Sequence, residues 1–263
     1  MHRTIMLGLT LGLVVLTLMV TACTKQRRTQ ESITFLPDSD PPTSYALPAT
    51  EIPDDVRDSL HPWVAGFIGM TPEQATARLH ERWASIESDA LISLREVLAE
   101  FEVRELVDFR GGGLIYAVRT GADINTVGNS FFLPGPMDAE QLNSHLAACN
   151  LTEVQDLTEF FDNFGGLAED KAVAGEFVYF QNPWETFTDS WDGTIEGFDE
   201  WQGSLMLYYA RNGCVLLVRP DGHVAWWVIQ ESVVREIAES FPEFIRQFAE
   251  HRKIAWPFDP YGP

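Results

Sequence analysis

The densest group of potentially reactive side chains is acidic: Asp189-Ser190-Trp191-Asp192-Gly193, followed by Glu196, Asp199 and Glu200. Carboxylates this close in sequence could hold a divalent cation or act as an acid and base pair. A calcium loop aligned on Gly193 needs an oxygen ligand at Thr188 and a bidentate glutamate at position 199, which is aspartate here, so the register fails at both ends. The plain reading is a solvated acidic loop. An acid and base pair depends on separation in space, which sequence does not give. A hydrolase built on residues 189 to 200 is therefore kept as the alternative function.

Other reactive types are scattered. His61, His80, His145, His223 and His251 include no pair at metal-ligand spacing, and His80-Glu81 lacks the second histidine of a zinc protease. No Gly-x-Ser-x-Gly elbow is present. Gly111-Gly112-Gly113 lacks the lysine and hydroxyl residue of a phosphate loop and leads into a strand, so it reads as a loose hairpin turn. No catalytic residue, metal site or cofactor is assigned, and a non-enzyme is expected. Cys149 and Cys214 could pair outside the cytoplasm, closing a long loop. Alternatively, Cys214 is a small buried residue beside a tight turn. The aromatics Trp201, Tyr208, Tyr209, Trp226 and Trp227 crowd one region. Neighbours on a strand point to opposite faces, so one of Trp226 and Trp227 is expected to look outward as a partner-binding spot, unless N-terminal helices cover it.

The elements that position these residues are legible from spacing. Ser204 to Ala210 alternates on a two-residue period and meets Asn212-Gly213, a hairpin signal. Cys214 to Val218 returns, Pro220-Asp221-Gly222 turns, and Val224 to Ile229 goes out again. Such a meander needs a helical layer. Thr71-Pro72-Glu73-Gln74 opens one with a capping box. Its apolar stripe, Ala75 to Phe101, predicts one long helix or two broken near Ser88-Asp89. Leu106 to Phe109, Leu114 to Val118, Ser130 to Leu133, Gly175 to Phe180 and Trp184 to Phe187 read as strands. Asp138 caps a helix, and Thr152 with Gln155 opens another that Gly165-Gly166 ends. Val234, Ile237, Ala238 and Phe241 predict a shared helical face, and Ser240-Phe241-Pro242-Glu243 starts a new helix.

The chain has 39 acidic and 18 basic residues, a formal net charge of -21. Nucleic acid is excluded as a partner, because phosphate binding demands a basic surface. With 45% hydrophobic residues over 263 positions, there is enough apolar material for a substantial core.

Arg3 and the apolar run Ile5 to Val20 form a signal sequence too short for a stable span. Val20-Thr21-Ala22-Cys23 resembles the lipobox of bacterial lipoproteins, which implies cleavage after residue 22 and acylation of Cys23. Each buried methylene of such an anchor contributes about 0.8 kcal/mol. Thr24 stands where an aspartate would resemble an inner-membrane retention signal, which favours an outer membrane where the host has one. Residues 23 to 62 read as the lipidated cysteine and a Pro/Asp-rich tether, 63 to 136 as a helical and strand region, and 253 to 263 as a tail.

Residues 137 to 252 resemble the SUKH superfamily of cell-wall regulators and immunity proteins. The matching pieces are Phe160-Phe161-Asp162-Asn163-Phe164-Gly165-Gly166, the meander with Asn212-Gly213 and Gly222-His223-Val224, and Ala238-Glu239-Ser240-Phe241-Pro242-Glu243-Phe244-Ile245. The resemblance implies an α+β fold with helices packed on a twisted, mostly antiparallel sheet. It also implies a protein-binding role, immunity-like or scaffolding, with no catalytic residues to carry over. The expectation is thus a lipid-anchored envelope protein with a protein partner, and a purely structural lipoprotein is a further alternative.

Overall fold

The computed structural model describes residues 43–108, 112–123, 129–169, 176–177, 184–188, 194–210 and 213–253. The signal sequence, Cys23, Gly111, Asp189 to Gly193, Arg211, Asn212 and the tail from 254 lie outside the described residues. Among the described residues no helix is long and apolar enough to cross a membrane.

The fold is α+β. Among the described residues ten strands pair in sequence order, all antiparallel: β1 (Ser44–Ala46), β2 (Phe101–Val107), β3 (Leu114–Arg119), β4 (Ser130–Pro134), β5 (Ala168–Glu169), β6 (Glu176–Phe177), β7 (Leu205–Tyr209), β8 (Cys214–Val218), β9 (Val224–Val228) and β10 (Val233–Ala238). Two four-stranded parts, β1 to β4 and β7 to β10, are joined through the two-residue strands β5 and β6. The sheet thus runs across the boundary at residue 136 that the sequence suggested, and residues Pro42–Pro263 form one compact unit. Part of the expected tether also folds: β1 pairs with β2, and α1 (Asp54–Ser59) and α2 (Pro62–Ala65) follow.

The helical stripe from Ala75 breaks, as one of the two expectations held. α3 (Pro72–Arg82) carries the full capping box of Thr71 and Gln74, and α4 (Asp89–Leu98) starts at Ser88, whose hydroxyl accepts from the Leu91 N–H. Phe101, expected at the end of that stripe, instead begins β2. α5 (Ala139–Ala148) has Asp138 as its cap. α6 (Leu157–Phe164) begins four residues later than a cap at Thr152 would place it, because residues 152 to 156 form turns and Asp156 adopts a left-handed conformation, φ 64°. α7 (Phe198–Trp201) and α8 (Phe241–Lys253) complete the set.

Val234, Ile237 and Ala238 lie on β10, not on the helix the spacing predicted. A bulge between Glu236 and Ala238 breaks the two-residue alternation. The buried Val234 and Ala238 then fall four apart around the exposed Arg235 and Glu236, which imitates a helical face. The core is aromatic. Trp83 packs on Phe164 at 5.3 Å and Phe131 at 6.4 Å, Phe101 on Phe131 at 5.1 Å, and Phe160 on Phe241 at 5.5 Å. α8 lies against α4, and α3 against β2.

Candidate functional site

The meander does not offer an aromatic surface. Trp201, Tyr208, Tyr209, Trp226 and Trp227 are all buried, the last two at 0% and 3% exposure. The alternation is as expected, but both faces of the sheet are covered. Tyr208, on the row with Leu216 and Trp226, meets Phe248 of α8 at 6.5 Å. Trp227, on the row with Val215 and Val234, meets Phe187 at 4.9 Å. The Trp201 ring lies 5.2 Å under the Arg219 guanidinium. The outward tryptophan is therefore corrected: the Phe187 ring, itself packed on Phe198 at 5.1 Å, covers Trp227.

The cysteine pair is corrected as well. Cys149 caps α5, Cys214 opens β8, and no disulfide joins them. Both are buried, as small apolar residues are, and burial pushes the Cys149 thiol up. Two members of the described part of the acidic group are engaged in structure. Glu200 pairs with Arg219 at 3.1 Å, and the Glu196 backbone bonds to β10 through the Ser232 carbonyl and the Val234 N–H. Among the described residues no three His, Cys, Asp or Glu side chains converge on a point that could hold a metal. The histidines are placed singly. The His145 ring stacks on Trp184 at 4.8 Å, His80 stacks on Trp83 at 6.0 Å, and His223 Nδ1 meets Glu236 Oε1 at 3.0 Å.

What the structure assembles instead is an open cleft of about 650 Å³ where α2, α3 and α6 meet. One wall is the polar face of α3, whose opposite face buries Ala75 and Leu79. Arg78 and Arg82 stand four apart on it, so their heads share a side. The second wall comes from α6, which presents Glu159 and Asp162. α6 is held by its other face, where Phe160, Phe161 and Phe164 enter the core. Trp63 of α2 forms the third wall.

Trp63 is oriented by three contacts. The His61 Nδ1 accepts from the Trp63 N–H at 3.1 Å and caps α2. Phe67 meets the indole edge-on at 4.8 Å, and the Arg82 guanidinium lies 4.7 Å over its ring. Arg82 is fixed in turn. It donates to the Pro134 carbonyl at 3.2 Å and to the Asp162 carbonyl at 2.6 Å, tying α3 to β4 and α6. Arg78 stacks on Phe67 at 5.3 Å.

The carboxylates differ in state. Both Glu159 oxygens are taken, by the Glu87 N–H at 2.8 Å and the Ser88 N–H at 3.3 Å. Asp162 is different: burial raises its carboxyl above the usual range, the Arg82 charge opposes this, and the Glu159 charge adds to it. His61 is lowered by burial and then by the Arg82 charge beside it.

None of Trp63, Arg78, Arg82 or Glu159 drew attention in the sequence as a site. One signal was available. In a chain with twice as many acids as bases, two arginines at i and i+4 on a capped amphipathic helix mark a face held for something other than solvation. The α2 and α6 walls carried no such mark, because their meeting depends on the path of the chain through β4. Comparison with family models, curated proteins and solved structures finds no match to this chain.

Proposed function

We propose that this chain is a lipid-anchored envelope protein that binds a polypeptide partner in the cleft between α2, α3 and α6. The observation that carries the reading is the half-buried Trp63, held between the Arg82 guanidinium and the Phe67 edge in a concave, open site. Tryptophan and arginine dominate binding energy at protein interfaces when they sit pre-oriented in a pocket with a polar rim. Here the orientation is already in place in the unbound chain, so little side-chain entropy is lost on association. Glu81, Ser85 and Asn163 supply the polar rim.

The lipobox-like Val20-Thr21-Ala22-Cys23 supports anchoring through Cys23 in the cell envelope, on the outer membrane where one is present. The SUKH resemblance of residues 137 to 252 supports an immunity-like or scaffolding role over a purely structural one. No catalytic residue is proposed in this reading. A second reading, an envelope hydrolase, is favoured by one observation only: two carboxylates, Asp162 and Glu159, line the cleft together, and burial raises that of Asp162.

The experiment is capture by the full-length protein in native membranes after cross-linking, with Trp63→Ala and Asp162→Asn compared. A binding module loses its partner on Trp63→Ala and captures it more weakly, but still detectably, on Asp162→Asn. A partner captured equally by both variants would count against the cleft. Incorporation of labelled palmitate that disappears in Cys23→Ala tests the anchor, and a labelled Cys23→Ala protein would refute it.

A further inference from the structure

Arg78 has no anion of its own. Arg57, Arg104, Arg119, Arg219, Arg235 and Lys253 each meet a carboxylate in an ion pair. Arg78 makes no ion pair or hydrogen bond among the described residues, and its Nε is buried without a partner. Arg246 on α8 is likewise without an ion pair among the described residues, but it is exposed, whereas Arg78 is half-buried. It is also cradled. The Phe67 ring lies beneath the guanidinium, and Gly66 leaves the space beside it, since a Cβ at residue 66 would stand 2.5 Å from Arg78 Nη2. A guanidinium held flat, partly desolvated and unpaired is a preorganised receptor for a two-oxygen anion.

The rest of the lining restricts which anion. Glu81, Glu159 and Asp162 face two arginines, so the charged lining sums to one net negative. A doubly charged phosphate meets repulsion there, and the -21 formal charge of the chain adds to it. A lone carboxylate with a cation beside it does not. Its negative end fits Arg78 and its positive end fits the side of Glu81 and Asp162, while Glu159 is occupied by backbone N–H groups.

We propose that the segment bound in this cleft carries a carboxylate side chain that pairs with Arg78 and, next to it, a basic side chain that faces Glu81 and Asp162. This rests on the protein-binding reading above and adds the chemistry of the partner. It is a local pair of opposite charges, not a phosphorylated or wholly acidic segment.

The test uses the full-length protein in detergent and calorimetry with acetylated, amidated pentapeptides. The parent probe is Gly-Asp-Gly-Lys-Gly; the controls replace Asp by Asn, or Lys by Gln, and inorganic phosphate is a fourth probe. The parent binds, each neutralised peptide binds about fivefold weaker or less, and phosphate does not compete. Arg78→Gln weakens the parent about tenfold and leaves the Asn peptide unchanged. Gly66→Ala keeps the charge but displaces the guanidinium, so it weakens the parent in the same direction. It decides the matter if Arg78→Gln fails to fold. Equal binding of parent and Asn peptide, competition by phosphate, or a parent peptide indifferent to both variants overturns the proposal. If no pentapeptide binds while Trp63→Ala still abolishes capture, this proposal fails and the protein-binding reading stands; if capture also ignores Trp63, both fail.

Discussion

Replacing Trp227 by alanine should cost far more stability than replacing Trp63, although sequence alone made Trp227 a candidate for the surface. Trp227 is 3% exposed, packs on Phe187 at 4.9 Å, and sits in the row between Val215 and Val234. Truncating a core tryptophan removes its transfer energy and leaves a cavity that strands on both sides cannot collapse into, about 3–5 kcal/mol. Trp63 is half-buried at the mouth of a cleft, so its loss removes less apolar burial and leaves a space that water already reaches, about 1–2 kcal/mol. For a unit of this size each kcal/mol moves the melting point by roughly 2–4 °C, so Trp227→Ala should lower Tm by roughly 6–20 °C. Urea unfolding followed by circular dichroism gives both values, and an unchanged slope would show that only stability moved. The assignment of the meander aromatics to the core is wrong if Trp227→Ala unfolds within about 1 kcal/mol of the parent, or if Trp63→Ala is the more damaging change.

Four further outcomes follow from named contacts. Stability should fall as pH drops below about 6.5, because burial lowers His61, His80 and His145 in the folded state, so the unfolded chain binds more protons there. Histidine-specific titration by NMR together with urea midpoints at pH 5 and pH 7.5 checks this; equal midpoints would contradict it. Asp162 has the opposite sign: a raised carboxyl makes the folded state the better proton binder, so Asp162→Asn should stabilise at pH 7 and lose that advantage near pH 4, read from the same midpoints. Thr71→Ala removes the hydroxyl that accepts from the Gln74 N–H and should cost about 1 kcal/mol, while the Thr71 backbone N–H still donates to Gln74 Oε1; Thr71→Ser should cost a fraction of that. Both Cys149 and Cys214 should react with a thiol reagent only on unfolding, and reductant should leave the melting point unchanged; a reductant-sensitive melt would restore the disulfide.

Most of the fold was legible where local chemistry and the tertiary result agree. Thr71 and Gln74, Asp138, and Ser240 with Glu243 cap helices where their spacing said they would, and Glu243 even returns its carboxylate to the Glu239 N–H at 3.0 Å. Gly213 and Gly222 take positive φ at the meander turns, 85° and 90°. Legibility failed where two elements share a signal. Val234 and Ala238 look helical because a bulge displaces one residue, and Thr152 with Gln155 looks like a cap although the chain turns once more before α6. Residues 43 to 62, rich in proline and aspartate, read as a tether because nothing local shows that β1 will find the edge of β2. The cleft was illegible for the same reason at longer range. Arg82 donates to carbonyls 52 and 80 residues away, and no pattern within α3 announces either partner.

The central claim is that the α2–α3–α6 cleft is where this protein meets its partner. The most direct measurement places a photo-cross-linking residue at Ser85, on the cleft rim, and in parallel at Arg246, exposed on α8, in the full-length protein in its host membrane. One protein cross-linked from Ser85 and absent from Arg246, with its yield lost on Trp63→Ala, is the result predicted. The same protein cross-linked from Arg246 alone, or from both positions regardless of Trp63, would contradict it.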